Sequence, residues 1–147
     1  MSGNTNTNCL TNSVVTYAVF RYLQQISSGC FQMIKRGLRT HFCFFNLGGN
    51  EHEIAVKNIA YYLWQQFGAS HKVRFITIPF EDMVNHIVAQ IPQALMGVVL
   101  KRAMLRAAEQ VCKKTGIDAI VTGEAIAQVS SQTLPNLAVI DKAVDTL

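Results

Sequence analysis

The chain has 147 residues, half of them hydrophobic and 15% charged, which is enough apolar material for the core of one ordinary domain and excludes a largely disordered chain. Its net charge of +4 suits an anionic partner such as a nucleotide or RNA. The four cysteines form no Cys-x-x-Cys pair, which excludes a zinc knuckle, and the apolar runs are too short to cross a membrane. No signal peptide is recognisable, so we expect a reduced, cytoplasmic setting.

The amino-terminal segment differs from the rest of the chain because Arg21 is the only charged residue among the first 34. Residues 14–20 have the composition of a strand, whereas residues 22–34 show no clear helical spacing. We therefore divide the chain into residues 1–34, a divergent segment whose fold the sequence leaves open, and residues 35–147, a regular domain.

From Lys35 onward, predicted strands alternate with predicted helices. The strands are predicted at 40–46, 72–80 and 117–122, and the helices at 50–68, 81–90, 96–115 and from about Ser131 or Thr133. This order predicts an α/β fold with a doubly wound, mainly parallel sheet covered on both faces. Ligands bind beyond the carboxyl ends of the strands in such sheets, so residues 46–50, 79–81 and 122–128 are the candidate ligand segments.

Helix patterns predict which residues face the core. For the first helix we predict a cap at Asn50 and acidic residues in the first turn, with an apolar side formed by Ile54, Ala55, Ile59, Tyr62, Leu63, Trp64 and Phe67. For the long helix we predict a core stripe of Met96, Leu100, Ala103, Ala107 and Val111, a solvated face of Arg102, Arg106, Gln110 and Lys113, and a Glu109–Lys113 pair.

The turn at residues 46–50 has two interpretations. Gly48 and Gly49 allow close approach to a ligand, but a tight strand-to-helix turn would need the same residues. Because Glu51 and Glu53 would repel a phosphate, the turn suits a base or ribose better. The polar residues at 128–133 leave a similar choice between ligand binding and capping of the last helix.

Lys101 stands out because it shares a helical stripe with Leu105, Ala108 and Cys112, beside the predicted core stripe. A lysine there either extends its ammonium group to solvent or faces an anion. The four histidines show no metal-ligand spacing and are interpreted as surface or strand-edge residues. Cys43 and Cys112 are interpreted as buried apolar residues.

Several motifs in this order resemble the tRNA sulfurtransferases that make 4-thiouridine, a PP-loop ATP pyrophosphatase family. The motifs are IKRG at 34–37, HFCFFNLGG at 41–49, HEI at 52–54, YLW at 62–64, MGVVLKR at 96–102, VTGEA at 121–125 and QVSSQTL at 128–134. The resemblance runs almost without gaps from about Ile34 to Leu147. It implies a partial, adenine-nucleotide α-hydrolase-like (PP-loop) domain.

The resemblance also implies a function. The family binds ATP, with Mg²⁺ as its counter-ion, and adenylates a tRNA uridine; sulfur from a persulfide donor then gives 4-thiouridine. Many members also supply sulfur for thiamine thiazole synthesis. By position, Lys101, Gly123 and Gln132 resemble the family's ATP-contacting residues. The catalytic residues are not assigned.

The chain departs from the family at the phosphate loop. The loop pattern is S-G-G-F-D-S, whereas the corresponding residues, 21–26, read RYLQQI. The family's RNA-binding module and catalytic-cysteine region are also not recognisable here. We therefore expect no turnover from this chain alone. A disrupted reading frame and a divergent member both remain open, as does a non-catalytic nucleotide- or RNA-binding remnant. An edge exposed by a lost first strand would favour self-association as a homo-oligomer.

Overall fold

The computed structural model describes residues 13–19, 31–68, 72–122 and 133–145. A short helical stretch at 31–35 precedes the second strand, and a π-helical turn, Trp64–Gly68, extends the first long helix. In chain order the other elements are β1 (Ser13–Val19), β2 (Arg39–Asn46), α1 (Asn50–Leu63), β3 (Phe75–Pro79), α2 (Glu81–Gln90), α3 (Gln93–Thr115), β4 (Ala119–Val121) and α4 (Leu134–Asp141).

The strands of the described chain form one parallel sheet in the order β3-β2-β1-β4. β1 pairs with β2 on one side, where Val14 is level with Thr40, and with β4 on the other, where Val14 is level with Ala119. The parallel α/β prediction is confirmed. The expectation of a lost first strand is wrong, because β1 fills the place where an open edge was expected.

Helices cover both faces of this sheet, which makes it doubly wound as predicted. On one face α1 packs through Val56, Ala60 and Leu63 against Phe42 and Phe44. The other face carries α2, α3 and α4 over a larger core. That core contains Cys43, Phe45, Phe80, Val98, Met104, Leu105, Ala108, Cys112, Ile117, Ile120 and Ile140. β2 is buried on both faces, which explains its nearly continuous apolar sequence.

The buried face of α3 is rotated from the predicted one. Its centre is formed by Met104, Leu105, Ala108 and Cys112, whereas the predicted stripe flanks the core, with Leu100, Ala103 and Ala107 only partly buried. Counting apolar residues missed this centre because the flanks of the buried face are rich in alanine and because Glu109 is buried. The predicted Glu109–Lys113 pair is confirmed at 3.3 Å. α3 also begins at Gln93, three residues before the predicted start, and ends at Gly116 as predicted.

Other predicted boundaries and faces need smaller corrections. The N-cap position of α1 is Gly49, so Asn50 is already helical, and no side chain caps this end. Ile54, predicted to face the core, is 58% exposed, because the buried stripe runs through Val56, Ala60 and Leu63. β3 and β4 are shorter than predicted because their ladders begin only at Phe75 and Ala119. No helix in the described ranges is long and apolar enough to span a membrane.

Candidate functional site

The strands of the parallel sheet end together at one edge, called here the ligand edge. β1, β2, β3 and β4 end there at Val19, Asn46, Pro79 and Val121. The predicted segments at 46–50 and 79–81 therefore lie at one edge, as expected. Gly123 and Gln132, the other predicted ATP contacts, lie outside the described residues, as do the residues 21–26 that correspond to the phosphate loop.

The turn after β2 is built around two glycines. The Gly48 amide donates a hydrogen bond to Asn46 Oδ1 at 2.9 Å, which closes the chain into a tight turn. Gly48 and Gly49 have φ angles of 130° and 94°, a region that L side chains rarely adopt. A Cβ atom on Gly48 would lie 3.6 Å from the carboxyl group of Glu81, at the start of α2. The Gly48 amide is thus used within the turn and Glu81 lies beside it, while Gly49 is exposed at the ligand edge.

Glu53, in the first turn of α1, joins this turn to the edge strand. Its Oε2 accepts a hydrogen bond from Asn46 Nδ2 at 3.2 Å, and its Oε1 accepts one from Thr77 Oγ1 at 2.9 Å. Lys57 Nζ lies 2.6 Å from the same Oε1. The negative charge that was expected to repel a phosphate is therefore paired with a lysine and directed at neighbouring donors.

The Glu53 contacts explain its ionisation. The hydrogen bond from Lys57 is the main cause that holds the pKa of Glu53 below its ordinary value, and the one from Thr77 acts in the same direction. Partial burial opposes this effect. The sequence analysis missed Lys57, although its i,i+4 spacing from Glu53 could have indicated the pair. Thr77 was missed, although strand alternation puts it on the same face of the sheet as Phe75.

Lys101 lies on the half of α3 that is nearer to the ligand edge. α3 leads into β4 at its carboxyl end, so it runs antiparallel to the strands, and its Val98 shares a core cluster with Phe80, which follows β3. Lys101 is half-buried and lies one turn before Leu105, in line with the centre of the buried stripe. Side chains on a helix lean toward its amino terminus, which tilts Lys101 toward the ligand edge.

Other candidate groups lie away from this edge or within the core. His41 is buried in β2, contrary to the surface or strand-edge interpretation, and its Nδ1 accepts a hydrogen bond from the Arg74 amide at 3.1 Å. Burial, followed by the charges of Arg74 and Arg39, lowers the pKa of His41. Cys43 and Cys112 are buried free thiols, as predicted. The burial of these three residues indicates that their role is structural.

Comparison with known proteins identifies the family. Residues 25–147 match the family model described as "Thiamine biosynthesis protein (ThiI)", which is most of the chain. The chain belongs to the ThiI family. The match takes in the ligand edge from β2 to β4 and also the segment that contains Gly123 and Gln132.

Relatives and a solved structure resemble this ThiI-family chain closely enough to compare. It is 63% identical over 117 residues to a tRNA sulfurtransferase of Saccharophagus degradans and 61% identical over 117 residues to one of Shewanella woodyi, which is 80% of this chain and 24% of each relative. The chain thus spans about a quarter of their length. A crystal structure of a 4-thiouridine synthetase–RNA complex with bound ATP matches 92% of this chain and 35% of its own, with a TM-score of 0.81 and 23% identity, and supports the fold.

Proposed function

We propose that this chain is most of the ATP-binding domain of a tRNA sulfurtransferase, in which a tRNA uridine is adenylated before sulfur transfer gives 4-thiouridine. The observation that carries the proposal is the ligand edge itself, where a double-glycine turn and the half-buried Lys101 lie in a chain 63% identical to a tRNA sulfurtransferase. The fold relative that holds both ATP and RNA supports the same function.

The proposed ATP contacts are Lys101, Gly123 and Gln132. The Gly48–Gly49 turn fits this ligand because Asn46 holds the turn in place and the exposed Gly49 has no side chain, so a base or ribose can approach its backbone closely. ATP, when bound with Mg²⁺, would supply the adenylyl group that is transferred to the uridine, with pyrophosphate as the leaving group. The role proposed for Lys101 is to stabilise the negative charge that develops on pyrophosphate as it leaves.

Further parts of the proposal concern partners and setting. The sulfur would come from a persulfide donor, and tRNA would be the substrate. A role in thiamine biosynthesis fits the family description. A cytoplasmic setting fits the buried free thiols Cys43 and Cys112. Self-association also remains a proposal, and it no longer rests on a lost first strand.

Calorimetric titration with MgATP tests the nucleotide site. We expect the chain to bind ATP and Lys101→Ala to bind it at least about tenfold more weakly, since a charge-assisted phosphate contact contributes about 1.5–3 kcal/mol. Lys114→Ala, an exposed lysine in the last turn of the same helix, is the matched control and should bind as the wild type does. A folded chain that shows no ATP binding would contradict the proposal.

Turnover is a separate measurement. The loop sequence at 21–26 lacks the glycines and the aspartate of the family pattern, so we expect no tRNA-dependent pyrophosphate release from the chain alone. ATP binding without turnover is therefore the expected result for the chain alone, and a non-catalytic nucleotide- or RNA-binding module, the second candidate function, would give the same result; tRNA-dependent turnover would separate the two. Thiolated tRNA formed in a defined assay containing this chain as the sole enzyme would show that the divergent loop is still competent.

A further inference from the structure

A cleft of about 640 Å³ lies on the α1 side of the sheet, between α1 and the edge strand β3. We call it the α1–β3 cleft. Its lining includes four aromatic rings, two lysines and a threonine hydroxyl. The residues that matter here are Lys57, Tyr61, Trp64, Lys72, Phe75 and Thr77.

One end of the α1–β3 cleft lies near the ligand edge. Thr77 and Lys57 line the cleft and also contact Glu53, at 2.9 Å and 2.6 Å, and Glu53 in turn contacts Asn46. From there the cleft follows β3 toward its amino-terminal end, where Lys72 lies. The Glu53–Thr77 hydrogen bond bridges α1 and β3 at that end, so the cleft lies beside the ligand edge, and a strand bound in it would run along β3.

The aromatic rings of the cleft offer stacking surfaces. Tyr61 is 57% exposed, and its ring lies 5.8 Å from that of Trp64 with 34° between the two planes. Trp64 begins the π-helical turn, a feature often found at functional sites. The Tyr61 hydroxyl accepts a hydrogen bond from Gln65 Nε2 at 2.9 Å, which orients its ring. An exposed tyrosine ring, held beside a partly buried tryptophan, is a surface on which an unpaired nucleobase can stack.

Lysines stand at both ends of this aromatic surface. Lys57 Nζ lies 5.7 Å from the centre of the Phe75 ring and forms an ion pair with Glu53. Lys72 is exposed at the other end of the cleft. Because Lys57 is already paired, Lys72 is the better contact for an additional phosphate. Stackable rings between two cations match the alternation of bases and phosphates in a nucleic-acid strand.

We infer that the α1–β3 cleft binds a single-stranded RNA segment, with a base on Tyr61 and Trp64 and a phosphate on Lys72. The inference rests on the proposed function, in which RNA is the substrate, and assigns part of its path across this domain. Binding of a polypeptide segment is the competing possibility. An apolar peptide could pack against the aromatic lining, but it would bring no negative charge to Lys72.

The test uses a fluorescently labelled, 12-nucleotide oligouridine and the full chain, with binding followed by anisotropy. Removing a stacking ring should weaken binding, so Tyr61→Ala should raise the Kd about five- to tenfold or more. Lys72→Gln should raise the Kd and reduce the slope of log K against log salt by about 0.7, the value expected for one phosphate contact on a single strand.

Matched controls make the result specific. Tyr62→Ala removes a neighbouring ring that is 60% exposed but does not line the cleft, and Lys114→Gln removes an exposed lysine elsewhere. Both should bind as the wild type does. Equal affinity in all variants, or failure of the wild type to bind oligouridine, would overturn the cleft assignment and favour a protein-docking surface. MgATP titration of the same samples tests the proposed function separately, because the Tyr61→Ala variant should bind ATP as the wild type does.

Discussion

Thr77 on the edge strand and Glu53 in the first turn of α1 are joined by a hydrogen bond of 2.9 Å between their side-chain oxygens. Through Asn46, the same carboxylate also holds the turn that follows β2. The positions of three successive chain segments at the ligand edge therefore depend on one ionised group. This dependence makes the edge sensitive to pH and to substitution of a residue that need not touch a ligand.

Acid should weaken the fold through Glu53. Its pKa is lower in the folded chain than in the unfolded chain, so its contribution to stability is present above the unfolded value of about 4.3 and is lost as pH falls through the folded value. We expect Glu53→Gln to flatten the acid limb of a plot of Tm against pH, measured by circular dichroism from pH 7 to 3. Glu51→Gln, an exposed acidic residue of the same turn, should keep the wild-type slope.

Gly48 should tolerate a side chain less well than the other positive-φ positions. Its φ of 130° lies outside the left-handed helical minimum, so Gly48→Ala should destabilise the fold by about 1–3 kcal/mol in urea unfolding. Gly116 has a φ of 67° at the end of α3, within that minimum, and Gly116→Ala should cost about 1 kcal/mol. An equal or reversed order would contradict the strained turn. Gly48→Ala should also weaken ATP binding, whereas Gly116→Ala should leave ATP affinity unchanged.

Two methionines of α3 distinguish its observed core face from the one that was predicted. Met104 is fully buried, so Met104→Ala should destabilise the chain by about 2–5 kcal/mol. Met96, on the predicted stripe, is only half-buried, so Met96→Ala should reduce the free energy of unfolding by clearly less. Urea unfolding of both variants measures the difference. A larger loss at position 96 would mean that the helix is rotated from the orientation described.

The buried thiols should be unreactive in the folded chain. Burial, assisted by Cys112, raises the pKa of Cys43 to about 12, and burial raises the pKa of Cys112. We expect iodoacetamide at pH 8 to leave both unmodified in buffer and to alkylate both in urea, as read by peptide mass spectrometry. Rapid alkylation of Cys43 in buffer would contradict its burial.

The same thiols predict a loss of stability in alkali. A raised thiol pKa stabilises the fold fully below the unfolded value of about 8.5, and the contribution is lost as pH rises toward the folded value. Cys43→Ala should therefore reduce the fall of Tm between pH 8 and 10. The same raised pKa argues against a persulfide role for Cys43, since a thiol that remains protonated is a poor nucleophile.

Patterns local in sequence predicted much of the fold. The buried run of β2, the glycines after it and Gly116 at the end of α3 all have short-range physical causes, and each was found. The core face of α3 was misassigned because Glu109 is buried, where its carboxylate accepts the Asp145 amide at 3.1 Å. That compensating contact comes from 36 residues away and leaves no periodic signal.

The candidate site was predicted in part for the same reason. Parallel topology placed the strand ends together, and Lys101 was noticed because a cation had apolar neighbours on its stripe. The Glu53–Thr77 bond joins residues 24 positions apart, and their pairing follows from packing of α1 on β3. Nothing in the local sequence of either residue specifies the other.

The central position of β1 also has a kinetic consequence. Its ladder with β4 pairs Val14 with Ala119, so the sheet closes only when segments roughly a hundred residues apart have met. Pairings of such long range have a high entropic cost before they contribute contacts, and they form slowly. β2, β3 and their helices can assemble from neighbouring segments, whereas β4 waits for β1. We therefore expect the pairing of β4 with β1 to be the last step in the assembly of the described sheet.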